Sequence, residues 1–229
     1  MGSHGSLQLA LCRAADRMVD AARAHLLALL DRFGAHHPQP DATHFYSDLG
    51  RCRVKWEQHT EFVTYTIFAE GTPEKPFDLT AFQMFPEAWL AAAPGTRVTS
   101  ALIHVTRQAG DEGIADKVAQ WFVPESVAVA RVLDDAAVIA GDFRIDRAGH
   151  MRFAVFVRPQ TGERRIGRIV QRLCEIETYK AMAMLGLSRS RSLGAQMGGI
   201  DERLAGLTEA LSSAPENTET TLEALLQVS

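Results

Sequence analysis

The stretch Arg51-Cys-Arg-Val-Lys-Trp-Glu-Gln-His-Thr-Glu-Phe-Val-Thr-Tyr-Thr-Ile-Phe-Ala69 decides the fold class. It alternates in polarity and is rich in Val, Thr, Tyr, Ile and Phe, so it reads as two strands, Arg51 to Trp56 and Glu61 to Ala69. A short polar connection around Gln58 and His59 joins them, which makes the pair a β-hairpin. On the first strand Arg53, Lys55 and Glu57 point one way and Val54 and Trp56 the other, so one face is charged and the other suits a core.

Working outward, Thr96 to Arg107, Val127 to Leu133, Ala137 to Ile145 and Met151 to Val157 carry the same strand composition. The last two meet across Asp146-Arg-Ala-Gly149, a hairpin turn with glycine where a left-handed residue is wanted. Connections this short favour antiparallel pairing over parallel crossovers. The expected class is therefore α+β, with a mixed, mostly antiparallel sheet, an N-terminal helix and an extended C-terminal helical region.

The N-terminal helix is predicted from about Leu7 to Phe33. Leu11, Ala15, Met18, Ala22, Leu26, Leu29 and Phe33 recur at steps of three and four, and Gly34 is a fitting stop. His36 to Pro40, with two prolines, starts a loop. Pro86 to Leu90 and Gly113 to Phe122 read as short helices. After Pro159 the chain turns helical to its end, with Ile166, Ile169, Leu173, Ile176 and Ala183 on one stripe. Further helices are predicted from about Leu193 to Leu211 and from Glu219 to Val228, with a bend at Met197-Gly-Gly199, because each glycine costs a helix about 1 kcal/mol relative to alanine. This gives an α+β head over 1–158 and a C-terminal helical region over 159–229 that could begin a stalk.

Composition narrows the function classes. A formal charge of −4 gives no basic excess to recruit nucleic acid, so no nucleic-acid partner is expected. Three scattered cysteines, Cys12, Cys52 and Cys174, match neither a disulfide scaffold nor a zinc site, and a reducing, cytoplasmic compartment is the default. No window reaches the roughly 18 apolar residues needed to cross a bilayer, and Met1 to Ser6 resembles a cloning remnant rather than a signal peptide. There is no P-loop, no strand-linked dinucleotide fingerprint and no nucleophile elbow.

Two clusters remain as candidate chemistry. Glu57, His59 and Glu61 crowd the hairpin bend, and a histidine between two carboxylates can serve as an acid/base group or a metal ligand; the competing reading is a salt-bridged turn. Arg164, Arg168 and Arg172 follow one another at i, i+4 spacing and, with Arg53 and Lys55, form a candidate anion-binding set; internal pairing with Glu57, Glu61, Glu175 or Glu177 is the alternative. His36, His37, His44 and Asp48 lie in an expected loop without regular spacing, and Asp142 and Asp146 bracket a strand end. No cofactor is expected, and a divalent cation is the one ion the carboxylates suggest.

Four stretches carry a family resemblance: Arg53-x-Lys-Trp-Glu-x-His-Thr-Glu-Phe-x-Thr-Tyr-Thr66, Trp121-Phe-x-Pro-Glu-Ser126, Gly141-Asp-Phe-Arg-Ile-Asp146 and Gly167-Arg-x-Val-Gln-Arg-Leu-x-Glu-Ile-Glu-Thr-Tyr179. In this order they resemble a bacterial domain-of-unknown-function family described as uncharacterised membrane-anchored proteins. The resemblance implies association with the inner membrane on its cytoplasmic face through a C-terminal anchor that this chain lacks. It supplies no catalytic residues. The expected function is a non-enzymatic head domain with a scaffolding or regulatory role, forming homo-oligomers and meeting a protein partner at the membrane. Two alternatives stand beside it: a divalent-cation-responsive domain of a CorA-like transport system using Glu57, Glu61, Asp142 and Asp146, and a hydrolase with His59 as base and Arg53 or Arg168 holding an anionic substrate.

Overall fold

A computed structural model describes residues 3–12, 18–71, 76–77 and 87–213. The elements run β1 (Ser3–Cys12), α1 (Met18–Arg32), β2 (His44–Asp48), β3 (Cys52–Gln58), β4 (Phe62–Gly71), α2 (Glu87–Ala91), β5 (Thr96–Arg107), α3 (Ile114–Trp121), β6 (Ala128–Val132), β7 (Ala137–Ile145), β8 (Met151–Val157) and α4 (Glu163–Ser213). Among the described residues eight strands form one sheet in the order β2-β3-β4-β1-β5-β8-β7-β6. Every pairing is antiparallel except β5 with β8, so the class is α+β with a mixed, mostly antiparallel sheet.

The predicted helix from Leu7 begins instead at Met18, and residues 3–12 are a strand. Leu7 and Leu11 stand four apart, which suits a helix, but Leu7, Leu9 and Leu11 also alternate with Gln8 and Ala10. The sheet chooses between the two periods: β1 pairs along its whole length with β4 on one side and with β5 on the other, which supplies backbone partners that local propensity cannot outweigh. The expected loop around His44 and Asp48 is a five-residue edge strand whose only buried residue is Ser47, too little burial to print an alternating pattern. The expected bend at Met197-Gly-Gly199 does not form, since α4 is continuous through it. Gly198 and Gly199 weaken the helix without obstructing it. The helix predicted from Glu219 to Val228 lies outside the described residues.

The two sheet faces bury different cores. Against one face α1 presses Ala22, Leu26, Leu29 and Leu30 onto Val54, Trp56, Val63, Tyr65 and Ile67. On the same face α3 presses Ile114, Val118 and Phe122 onto Val138, Ala140, Ala154 and Phe156. The opposite face of β5, β7 and β8 is covered by Ile166, Ile169, Val170, Leu173 and Cys174 of α4. By contacts the chain divides into two compact units, Met1–Tyr179 and Lys180–Ser229, and α4 contributes to both. No described helix is long and apolar enough to cross a membrane.

Close packing between β7 and β8 leaves no room at Gly141. A Cβ there would lie 2.9 Å from Cδ1 of the buried Phe153 ring and 3.2 Å from the carbonyl oxygen of Arg152. Gly141→Ala is therefore expected to destabilise the domain by about 1–3 kcal/mol, the usual cost of overpacking. Urea unfolding measures it; an unchanged midpoint would mean that the Phe153 ring yields.

Candidate functional site

The hairpin bend does pack against α4, along Gln171 to Tyr179, a stretch that includes Arg172 although none of the arginines lines the contact. Glu57, His59 and Thr64 from the hairpin and Cys174, Glu175 and Tyr179 from α4 line a cleft of about 60 Å³. Lys55 Nζ lies 2.8 Å from Glu57 Oε1, and the His59 ring stacks on Phe62 with centroids 4.2 Å apart. That volume suits a water molecule or two and is well below the few hundred Å³ of an organic-ligand pocket. Burial, reinforced by Glu57 and Glu175 and opposed by Lys55, pushes the Cys174 thiol up to about 12, so it is no thiolate at neutral pH. Glu61 is exposed and is not among the residues lining the cleft.

Arg53, Arg164, Arg168 and Arg172 are exposed, and none has an acidic partner at ion-pair distance among the described residues. His59 and Arg168 are not brought together at this cleft, where α4 contributes Gln171 and residues beyond it. No three His, Cys, Asp or Glu side chains among the described residues form a group that could hold a metal ion. In the segment before β3, His37 pairs with Asp31 at 2.6 Å and His36 packs edge-on against Phe45. His44 and Asp48 stand at opposite ends of β2, in register with Glu57 and Arg53.

A second place was not singled out from the sequence. On the face shared by α1 and α3, β5 contributes Ser100 and His104, β8 contributes Arg152, and His150 just before β8 joins them, a polar seam between two apolar clusters. Register explains it: Leu102 pairs with Arg152 in parallel, so His104 and Arg152 are diagonal neighbours and Ser100 adjoins His150. Ser100 Oγ lies 2.6 Å from His150 Nδ1. Ser100 is 2% exposed, His104 3% and His150 7%, which is unusual for such groups on a sheet face.

Asp142, 1% exposed, is held beside the seam by a bulge in β7, where pairing with β8 skips from Gly141 to Ile145. Its carboxylate accepts the Val123 and Arg144 backbone N–H groups and Arg152 Nη2–H, each at 3.2 Å. The Arg152 guanidinium carbon also sits 5.7 Å from the centroids of both Phe77 and Phe122. Burial, aided by the positive charge of Lys117, lowers His104 to about 4, so its ring is neutral at pH 7.

A third cluster sits at the far end of β6 and β7. Arg158 Nη2 reaches Asp111 at 2.7 Å and Asp135 at 3.0 Å, and Arg131 pairs with both carboxylates. Hydrogen bonds from Arg131 and Arg158 hold the Asp111 carboxyl down to about 2. The network clamps Leu133, Asp134 and Asp135, three successive residues with positive φ. Next to it a groove of about 500 Å³ is lined mostly by apolar residues, Val118, Pro124, Val127 and Val129 among them.

The four stretches that carry the resemblance thus pair off in space. The hairpin meets the Gly167 to Tyr179 helix at the small cleft, and Trp121 to Ser126 meets Gly141 to Asp146 around Asp142, where Arg144 Nε–H also donates to Ser126 Oγ at 2.8 Å. Residue spacing could not show that second meeting, because its third member, Arg152, is an isolated arginine in a strand. A lone charge within Met151 to Val157, an otherwise apolar run, was the available signal. No curated protein and no solved structure is matched by the chain. A family model described as a protein of unknown function, DUF3422, matches residues 4–229, and the chain belongs to that family.

Proposed function

We propose that this chain is a non-enzymatic head domain with a scaffolding or regulatory role that forms homo-oligomers through residues 180–213 of α4. The observation that carries this reading is an exposed apolar stripe. Leu193, Met197, Ile200 and Leu204 are all exposed and follow one another at steps of four, three and four, with Leu207 three further on. This is the alternation of a coiled-coil seam. Gly198, Gly199 and Gly206 fall between those positions, so the residues that weaken the helix lie off the stripe.

A lone helix presenting such a stripe to water gains little from its own hydrogen bonds, and most helical stability comes from packing an apolar face. A second copy supplies that face, because a stripe of Leu, Met and Ile complements itself. The family resemblance adds the setting, a membrane surface at which an oligomeric head could hold a protein partner.

Light scattering coupled to size exclusion is expected to show a species larger than the monomer whose share rises with concentration. The double variant Ile200→Asp, Leu204→Asp should be monomeric and keep the fold of Met1–Tyr179. A monomer at every concentration for the unmodified chain would remove the reading.

A further inference from the structure

We infer that the seam between α1 and α3 is a binding site for a small organic anion, a carboxylate or phosphate, held by Arg152 and His104. The first observation is a shortage of partners. Arg152 Nε and His104 Nε2 are both buried with no hydrogen-bond partner, and they are two of only four such side-chain nitrogens among the described residues. An unmade buried hydrogen bond costs about 1–3 kcal/mol, so two in one place mark groups arranged for something else. Both surround the same ring: His104 lies 6.0 Å from Phe77 between centroids, and the Arg152 guanidinium carbon lies 5.7 Å from it.

Charge gives the sign of the ligand. Among the described residues Arg152 and Lys117 are the cations here and Asp142 is the carboxylate bonded to Arg152, while the neutral His104 adds nothing, so these groups together carry one net positive charge. Arg Nε–H is only a donor, and His104 with its proton on Nε2 is a second. One carboxylate or phosphate group has enough acceptor oxygens for both. A neutral ligand would leave the charge unmatched, and a cation would face it.

The walls give the ligand's other half. Trp121 lies edge-on to both His104 and Phe77, at 5.5 and 6.2 Å between centroids, and Phe122 packs beside Phe77 at 5.6 Å. These rings are apolar surface against which an aromatic or apolar body attached to the anionic group would pack. The Arg152 side chain remains 25% exposed, which gives the seam an opening. Two non-glycine residues with positive φ flank it, Phe77 at 62° and Phe143 at 53°, and backbone held in that region clusters where ligands are clamped.

The test uses the full chain with two probes, sodium benzoate and inorganic phosphate, against sodium chloride at equal ionic strength. Thermal midpoint and tryptophan fluorescence are followed as each probe is raised into the millimolar range. The expected result is a saturable rise in midpoint with at least one probe. Benzoate alone would assign an aromatic carboxylate and phosphate alone a phosphoryl group. Arg152→Gln should weaken binding by about tenfold or more, the worth of a hydrogen bond to a charged group. His104→Asn should weaken it while leaving the Arg152–Asp142 pair in place, so a poorly folding Arg152→Gln does not spare the idea. Arg168→Gln, on an exposed residue, should change nothing. No saturable response to either probe, or one undiminished in the folded Arg152 and His104 variants, overturns the inference.

Discussion

Acidification through the range between pH 6.5 and about 4 is expected to destabilise the head by about 3 kcal/mol through His104 alone. The sign follows from which state takes the proton first. His104 titrates near 6.5 when unfolded and at about 4 when folded, chiefly because burial opposes its charge and secondarily because Lys117 is near. In that window the unfolded chain binds more protons, so the His104 contribution is complete above 6.5, falls with pH, and levels off once both states are protonated.

His25 and His150 act in the same direction, since burial lowers both. The His25 ring is wedged between Tyr65 Oη at 2.9 Å and the Trp89 carbonyl oxygen at 2.8 Å. Asp111 behaves differently: with its carboxyl held down to about 2, its contribution is whole above the ordinary carboxylate range and is lost only below it, so the Arg131–Asp111–Arg158 network is not what fails first. For a protein of this size about 3 kcal/mol corresponds to a fall of roughly 6–12 °C in thermal midpoint. Melts recorded by circular dichroism between pH 7 and 4 measure it. His104→Asn should flatten the curve by His104's share, and a flat curve in the unmodified chain would contradict the burial argument.

Asp142→Ala is expected to be the most damaging single exchange of a polar residue, at about 3–5 kcal/mol. The carboxylate is almost fully enclosed and satisfies three donors at once, two from the backbone and one from Arg152. Its removal leaves the Val123 and Arg144 N–H groups bare and Arg152 without a counterion. Because Val123 follows α3 directly and Arg144 lies in the β7 bulge, the loss should also free these segments from each other. Urea denaturation gives the energy, and hydrogen exchange at Val123 and Arg144 shows the local release. Asp142→Asn keeps an acceptor for the backbone and should cost less than the alanine variant. Equal costs for the two would show that the Arg152 charge, rather than the backbone donors, dominates.

Most strands were legible because their burial prints a pattern. Thr96–Arg107, Ala137–Ile145 and Met151–Val157 are bounded as read, since each combines β-branched residues with turn-forming flanks. Two elements were not, for opposite reasons. Residues 3–12 satisfy a helical and a strand period at once, and only partners far along the chain resolve them. His44–Asp48 lies at a sheet edge and buries too little to declare itself.

The hairpin cluster was visible because its charges are consecutive in sequence, and Glu57 and His59 do share a cleft with α4. Asp142 stood out as an acid at a strand end, but the seam beside it did not, because Ser100, His104 and Arg152 are single residues on β5 and β8 within largely apolar runs. Only register makes Arg152 the neighbour of Asp142 and His104. Pairwise adjacency across strands carries no signature in one sequence.

The placement of β1 bears on the order in which the sheet can form. One set of strands, β2-β3-β4, lies to one side of it and another, β5-β8-β7-β6, to the other, so among the described strands β1 is the one that pairs with both sets. Its partners end at Gly71 and Val105. Synthesis delivers this strand before either partner, yet it must wait for both of them to emerge. Until then both of its own edges are open, and so are the edges of β4 and β5 that it will cover, a state prone to pair with the wrong chain. Such distant pairing also slows closure. Residues 3–12 are thus the last seam of the sheet to be sewn and the first place where its assembly can go astray.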